Sequence, residues 1–339
     1  MKLISRELVF SLPTLLLLLQ DCSFYVLAFT QLPQMNAFSL QRAWRASTSI
    51  FSKNKNLVKK NFHSSSQLQM CGLLAVIDDV WKIKDESNLS ISKIPLLDNV
   101  SEDEIDDKLL SETTDILYHR GPDGMTVSSG ILGDSRNLHA RWAMGHTRLA
   151  IVDPNNRKAD MPFQLTFDNK NIKLAANGEI YNHEQVYDEL VKKDNWSHDR
   201  ISGSDCEVIA HYFAKHGGPA TAAKLDGMFA FVLFEENSDD DTVKLFAARD
   251  PVGIKPLYYG RTLDEDDEKS MGGYIFSSEL KALVGHVDPS SVVAIPAGHY
   301  WTPEEGLVCY YNPDWLRKVK KNCFLSYLLK NSKVFILRS

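Results

Sequence analysis

Cysteine is scarce in this chain: Cys22, Cys71, Cys206, Cys309 and Cys323 are five in 339 residues, an odd number with no CxxC spacing and no histidine cluster beside them. They indicate neither a disulfide scaffold nor a zinc site, and no other metal-ligand set is expected. No internal repeat is present, which removes solenoids and propellers. Excess positive charge is also missing. Of 38 basic and 44 acidic residues, eight and two fall in the first 70, which leaves the rest with a net charge of -12. That balance argues against nucleic-acid binding. With 44% hydrophobic and 24% charged residues, the composition is that of an ordinary globular chain with one large domain or two small ones.

The first 70 residues read as an address. LVFSLPTLLLLL at 8–19 follows Lys2 and Arg6, a positive start and an apolar run of signal-peptide length, too short to span a bilayer comfortably. From Met35 to Gln69 there are six Lys or Arg, many serines and no acidic residue, the composition of a transit peptide. A signal-like segment (1–30) joined to a transit-like one (31–70), with Phe29 near the junction, resembles the two-part leaders of complex plastids. A plain secretory leader, a mitochondrial presequence behind a misplaced start codon, translated noncoding sequence, and a cytosolic product translated from Met70 are the alternatives. The N-x-S triplets at Asn88, Asn99 and Asn195 matter only if the chain stays in the secretory route.

Beyond Met70 the pattern changes to short β-rich runs: CGLLAVI (71–77), WAMGHTRLAIV (142–152), IKLAANGEI (172–180), GMFAFVLF (227–234), KLFAARD (244–250), KPLYYG (255–260) and YIFSS (274–278). Asn182 with Gln185, and Ser204 with Glu207, have capping-box spacing. They predict helices running to about Lys193 and to His216, the second stopped by Gly217-Gly218. A third helix is expected after Ser278. Many short strands with few helices predict an α+β fold of two stacked sheets with helices outside. The acidic stretches at 98–107, 238–241 and 264–268 read as solvated loops.

Chemistry concentrates at Met70-Cys71. If the chain is cut between them, Cys71 carries both a nucleophile and a base, because a free α-amine has a pKa of roughly 7.7 to 8.0 and can take the thiol proton. Within a longer chain that nitrogen is an amide and cannot. By itself a cysteine in an apolar strand is more often a small buried hydrophobe.

Seven motifs in order shift that balance: YHRGPDG (118–124), GHTRLAIVD (145–153), NGEIYNH (177–183), SGSDCEVI (202–209), LDGMFAF (225–231), RDPVGIKPLYYG (249–260) and FSSELKAL (276–283). Together they resemble the glutaminase domain of glutamine-dependent asparagine synthetases, an N-terminal class II (type 2) glutamine amidotransferase domain, over about 71–316, with extra acidic loop residues between 78 and 111. The RGPDG and NGEIYN motifs set the chain apart from amidotransferases that make glucosamine phosphate or phosphoribosylamine.

The resemblance implies a four-layer αββα sandwich of two antiparallel sheets, the N-terminal-nucleophile hydrolase fold. It also implies roles for residues. Cys71 is the nucleophile, which passes through a thioester; the Asn177 side-chain amide and the Gly178 N–H hold the oxyanion. Arg148 takes the glutamine α-carboxylate, Asp205 and the backbone near Glu179 receive the α-ammonium, and Leu149, Ala150, Ile151 and Val152 complete the substrate wall. Taken alone, Asn-Gly reads better as a hairpin turn, and Asp205 as a carboxylate complementing a helix dipole. His119–Asp123 are expected to order a loop beside the pocket, Arg249, Asp250 and Lys255 to brace the fold, and Cys206 to pack.

The family continues past the Y-x-P-x-W pattern, here Tyr311–Trp315, into a second domain with an SGGxDS loop that binds ATP and activates aspartate. No such loop occurs in this sequence, and residues 317–339 form a basic, apolar tail with seven Lys or Arg and no acid. ATP and Mg are therefore expected only for a synthetase domain or subunit supplied in trans, and no cofactor for this chain. L-glutamine is the expected small-molecule partner, and a homodimer is possible. Two alternatives stay open: an inactive glutamine-binding or partner-docking module if residues remain ahead of Cys71, and a gene-model fragment.

Overall fold

Strand β1 (Gly72–Ile77) is buried along its whole length, and that explains its unbroken apolar sequence GLLAVI. Successive side chains in a strand point to opposite faces. Leu73, Ala75 and Ile77 join one core cluster and Leu74 and Val76 another, so both faces of β1 are covered. These observations come from a computed structural model that describes residues 70–77, 108–132, 140–239, 242–263 and 271–313. Residues 1–69 of the leader, the acidic stretches at 98–107 and 264–268, part of the stretch at 238–241, and the basic tail lie outside the described residues.

The chain continues through α1 (Lys108–Asp115), β2 (Gly124–Leu132), β3 (Ala140–Arg148), β4 (Phe163–Phe167), β5 (Lys170–Ile180), α2 (His183–Asp194), α3 (Glu207–His216) and α4 (Gly218–Lys224). It ends with β6 (Gly227–Asn237), β7 (Thr242–Arg249), β8 (Tyr258–Leu263), β9 (Met271–Ser277), β10 (Val293–Ala294), β11 (His299–Thr302) and β12 (Gly306–Cys309). The strands form two six-stranded sheets, in the orders β10-β8-β9-β1-β3-β2 and β12-β11-β7-β6-β5-β4, and every pairing is antiparallel.

Three buried layers follow from period-2 alternation. Between the sheets, Leu73, Trp142 and Met144 of the first meet Ala230, Val232 and Phe234 of the second. The other face of β6, Phe229, Phe231 and Leu233, packs on Val186 and Leu190 of α2 and Val208, Ile209 and Phe213 of α3. Leu110 of α1 covers Leu74 and Val76 on the far side of the first sheet. The layers run helix, sheet, sheet, helix, the expected αββα sandwich.

Local expectations are corrected in several places. The third helix after Ser278 is only a 3-10 turn at Leu280–Ala282, because Glu279 is extended and its carboxylate is drawn to Arg120 and His119. Residues 108–111, expected to be loop, belong to α1. The second helix stops at Gly217 as expected, but Gly218 immediately opens α4 against Phe246, where a side chain would collide with the ring.

Neither capping box forms. The Asn182 side chain instead donates to Lys224 O at 3.0 Å and accepts from Asp226 N at 3.0 Å, fastening α2 to the start of β6. Asn177-Gly178 is no turn either: it lies within β5, opposite Ala230 and Phe229.

One buried histidine ties the sheets together. His146 of β3 donates from Nε2 to Ala176 O of β5 at 2.9 Å, next to Asn177. Burial lowers its pKa to about 4, although the Ala176 contact opposes the shift. An unfolded histidine protonates below about 6.5, whereas the folded one stays neutral until about pH 4. Above about 6.5 the group costs nothing, and stability is lost as pH falls from there toward 4, on the order of 3 kcal/mol for this shift. His286, its pKa also lowered by burial to about 4, adds in the same direction. Denaturant melts at pH 7.5 and pH 5 should show the loss, and His146→Gln, which keeps a donor for Ala176 O, should reduce it by one proton's worth.

Candidate active site

Cys71 stands at the start of β1, level with the end of β3, since Gly72 pairs with Thr147. Its Sγ accepts a hydrogen bond from Leu149 N at 3.3 Å and lies 3.8 Å from Leu149 O. Burial raises the thiol pKa; the Leu149 contact and the positive charges of Lys255, Arg120 and Arg148 pull the other way without overcoming it. The thiol is thus neutral at working pH, and among the described residues it hydrogen-bonds to no histidine or carboxylate. A base must come from elsewhere.

The backbone around Cys71 is held by the HRGPDG segment. Arg120 donates from Nε to Cys71 O at 3.0 Å and from Nη1 to Glu279 Oε1 at 2.8 Å, and His119 meets the same oxygen at 2.9 Å. Those contacts hold the Glu279 carboxyl well below the usual range against its burial. Gly121 packs so tightly on β3 that a Cβ there would lie 2.3 Å from Thr147 O. The segment orders a loop beside the cavity, as its sequence led us to expect.

A cavity of about 320 Å³ opens at Cys71 and is lined by Arg148, Leu149, Ile151, Val152, Asn177, Gly178, Glu179 and Asp205, among others. Pockets for small ligands start near this size. Ala150 does not line it: its N–H is drawn to Asp123 Oδ2 at 2.8 Å on the far side of the loop. Met70 lies on the cavity wall.

Asn177 is the outlier of the site. Alternation along β5 puts it on the same face as Ala175, toward the space between the sheets, and it is fully buried. Neither its Nδ2 nor its Oδ1 has a hydrogen-bond partner among the described residues. Leaving such groups unpaired costs about 1–3 kcal/mol each, which folded proteins tolerate where function uses the group. Next to it, Gly178 has φ +154°, and a Cβ would sit 2.1 Å from Met228 O, so no other residue fits.

Asp205 is buried, with Oδ2 accepting from Ile180 N at 2.6 Å. Desolvation raises its pKa, opposed by that backbone donor. Arg148 reaches the cavity wall, but its terminal nitrogens are engaged: Nη1 with Asp160 Oδ1 (2.7 Å) and Asn156 O (3.2 Å), Nη2 with Val152 O (3.0 Å) and Asp153 O (2.7 Å). It organises the loop after β3 while keeping a positive charge at the cavity.

Arg249 and Asp250 brace the fold as expected. Arg249 donates to the carbonyls of Lys255, Ile295 and Gly253, and Asp250 accepts from the N–H groups of Val252, Gly253, Ile254 and Lys255. Lys255 departs from the expectation. It lines the cavity, its ammonium makes no hydrogen bond or ion pair among the described residues, and its pKa is lowered by burial against the pull of Cys71 and Glu179. Cys206 is buried with its thiol toward Gly178 O, and burial keeps that thiol protonated.

A thiol, a buried carboxamide with no partner among the described residues, and a carboxylate thus stand around one small cavity of an αββα sandwich. The sequence pattern of the family described as glutamine amidotransferase domain matches residues 96–301. The chain belongs to that family. Among curated proteins it is 37% identical over 251 residues to asparagine synthetase [glutamine-hydrolyzing] 3 of Arabidopsis thaliana, covering 74% of this chain and 34% of that protein. It is 36% identical over 247 residues to the asparagine synthetase [glutamine-hydrolyzing] of Zea mays, covering 73% and 33%. The chain spans about a third of the length of these relatives. A solved glutamine phosphoribosylpyrophosphate amidotransferase from B. subtilis aligns with a TM-score of 0.45 at 20% identity, over 70% of this chain and 48% of its own.

Proposed function

We propose that this domain hydrolyses L-glutamine to glutamate and ammonia through a thioester on Cys71, and that it does so once Cys71 is the first residue of the chain. The observation that carries the reading is the Asn177 carboxamide, buried and unpartnered in the cavity that also holds the Cys71 thiol.

The freed α-amine of Cys71 takes the thiol proton, and sulfur attacks the carboxamide carbon. Negative charge then builds on the former carbonyl oxygen, where Asn177 and the Gly178 N–H donate; such donors are commonly the largest single contribution to catalysis. The C–N bond breaks as the amine returns its proton to the leaving nitrogen. Water, deprotonated by the same amine, cleaves the thioester. Asp205 and the backbone near Glu179 receive the α-ammonium, and the cationic Arg148 faces the α-carboxylate. Met70 both acylates that amine and occupies the cavity wall, so its removal supplies the base and enlarges the cavity.

The ammonia is intended for asparagine biosynthesis, with a synthetase domain or subunit as its acceptor; the similarity to asparagine synthetases supports this. The leader composition supports delivery to a plastid before the cut. Protein beginning at Cys71, given L-glutamine, is expected to release glutamate and ammonia in equal amounts and, when acid-quenched, to carry a glutamyl adduct on Cys71. Absence of both products would overturn the proposal.

A further inference from the structure

Behind the cavity wall lies a polar relay with a fully buried centre that no step above uses. Trp196 donates from Nε1 to His211 Nδ1 at 2.9 Å. An indole nitrogen is a donor only, so His211 must carry its proton on Nε2, which faces Glu207 Oε1 at 3.3 Å. Glu207 and His211 are both 0% exposed.

On its other side, the Glu207 carboxylate collects donors from one short segment: Ile201 N at 2.6 Å, Ser202 N at 2.9 Å and the Ser202 hydroxyl. Burial pushes its pKa up, and these bonds with that of His211 bring it below the ordinary range, so the group is an anion. Ser204 N donates to Ser202 Oγ at 3.2 Å, and Glu207 N to Ser204 O at 3.3 Å. Residues 201–204 are thereby wound around Glu207, and the next two, Asp205 and Cys206, form cavity wall. Gly203 N also donates to Asp153 Oδ2 at 2.7 Å, coupling this turn to the loop that carries Leu149–Val152.

We infer that Glu207 is a positioning residue for substrate selection: oriented by His211 and Trp196, it holds residues 201–204 so that Asp205 presents its carboxylate to the α-ammonium of the substrate. The inference rests on the reading of Asp205 as the ammonium receptor, and on glutamine as ligand. Glu207→Gln keeps the shape but turns an amide donor toward the donors of Ile201 or Ser202, and the turn has to shift.

Calorimetric binding of L-glutamine and of 5-amino-5-oxopentanoate, which is glutamine without its α-amine, tests this in protein produced from the full-length chain. The unmodified protein should prefer glutamine by roughly tenfold or more, the worth of one charge-assisted contact. Asp205→Asn should abolish the preference. Glu207→Gln should reduce it to within about threefold while binding the deamino compound nearly as before, and in an Asp205→Asn background it should add no further loss.

Ser202→Ala, which removes one hydroxyl and leaves the core intact, should cause a smaller loss in the same direction, and it decides the matter if Glu207→Gln does not fold. Full preference in folded Glu207→Gln or Ser202→Ala, or additive losses in the double variant, would overturn the inference. Full preference in Asp205→Asn would instead sink the assignment of Asp205, and no binding of glutamine at all by protein whose first residue is Cys71 would sink the proposed function.

Discussion

Cys71→Ala, in protein beginning at that residue, is expected to lower the rate of glutamate release by about 10⁶ while leaving the fold intact. On the proposed route Cys71 carries the covalent intermediate, and the activity left without it is what binding and oxyanion stabilisation alone supply. Alanine should be tolerated at the mouth of β1 because Cys71 is only partly buried and, among the described residues, its thiol is held by Leu149 alone. Cys71→Ser should be nearly as inactive. Burial already keeps the Cys71 thiol protonated, and a hydroxyl, far less acidic, asks more of the same amine. Discontinuous assays of glutamate read the loss, and retained turnover in either variant would exclude the thioester route.

Asn177→Ala is expected to lower kcat by about 10²–10³ with little change in KM, because in the proposed mechanism its amide donates to an oxygen that becomes charged only as the reaction proceeds. The stability outcome sharpens this. Most buried asparagines are paired, and cutting one back strands a partner; Asn177 has none to strand. The penalty of burying an unpaired amide is relieved, which offsets the cavity left behind, so the unfolding free energy should stay within about 1 kcal/mol of the parent's. An inactive, stably folded Asn177→Ala fits the oxyanion role. A destabilised variant with normal kcat would show that Asn177 serves packing instead.

The sequence exposed those elements whose two faces are both covered. β1, β5, β6 and β7 read clearly as apolar runs because helices lie on one side and the other sheet on the opposite side. β2 was missed: GMTVSSGIL is an edge strand, partly exposed and polar, and carries no apolar period. β4, with FQLTF, does alternate between buried and exposed, but five residues at the other sheet's edge give too short a signal. α4 was hidden because Gly217-Gly218 reads as a terminator, and only Phe246, distant in sequence, explains why Gly218 opens a new helix.

The same division runs through the site. The Asn177-Gly178 pair, a turn signal by itself, is forced into a strand by its pairing with β6 and by the steric closure around Gly178. The spacing of Ser204 and Glu207 located a helix start to within two residues, although the helix opens at Glu207 behind Cys206 and not behind a Ser204 cap. It does not say which N–H groups the carboxylate takes, and those are Ile201 and Ser202, ahead of the cap. Lys255 was grouped with Arg249 and Asp250 because the three share a motif. Asp250 binds the backbone N–H groups of the turn and thereby leaves the Lys255 side chain to point into the cavity. Residue type and spacing thus locate the chemistry, whereas the direction of each side chain depends on contacts made far along the chain.

The central claim concerns one nitrogen. Glutamate release should be compared between protein beginning at Cys71 and the same protein carrying Met70 ahead of it, each verified by intact mass. The account predicts turnover in the first and none in the second, because an amide at Cys71 cannot accept the thiol proton. Equal turnover in the two would contradict it.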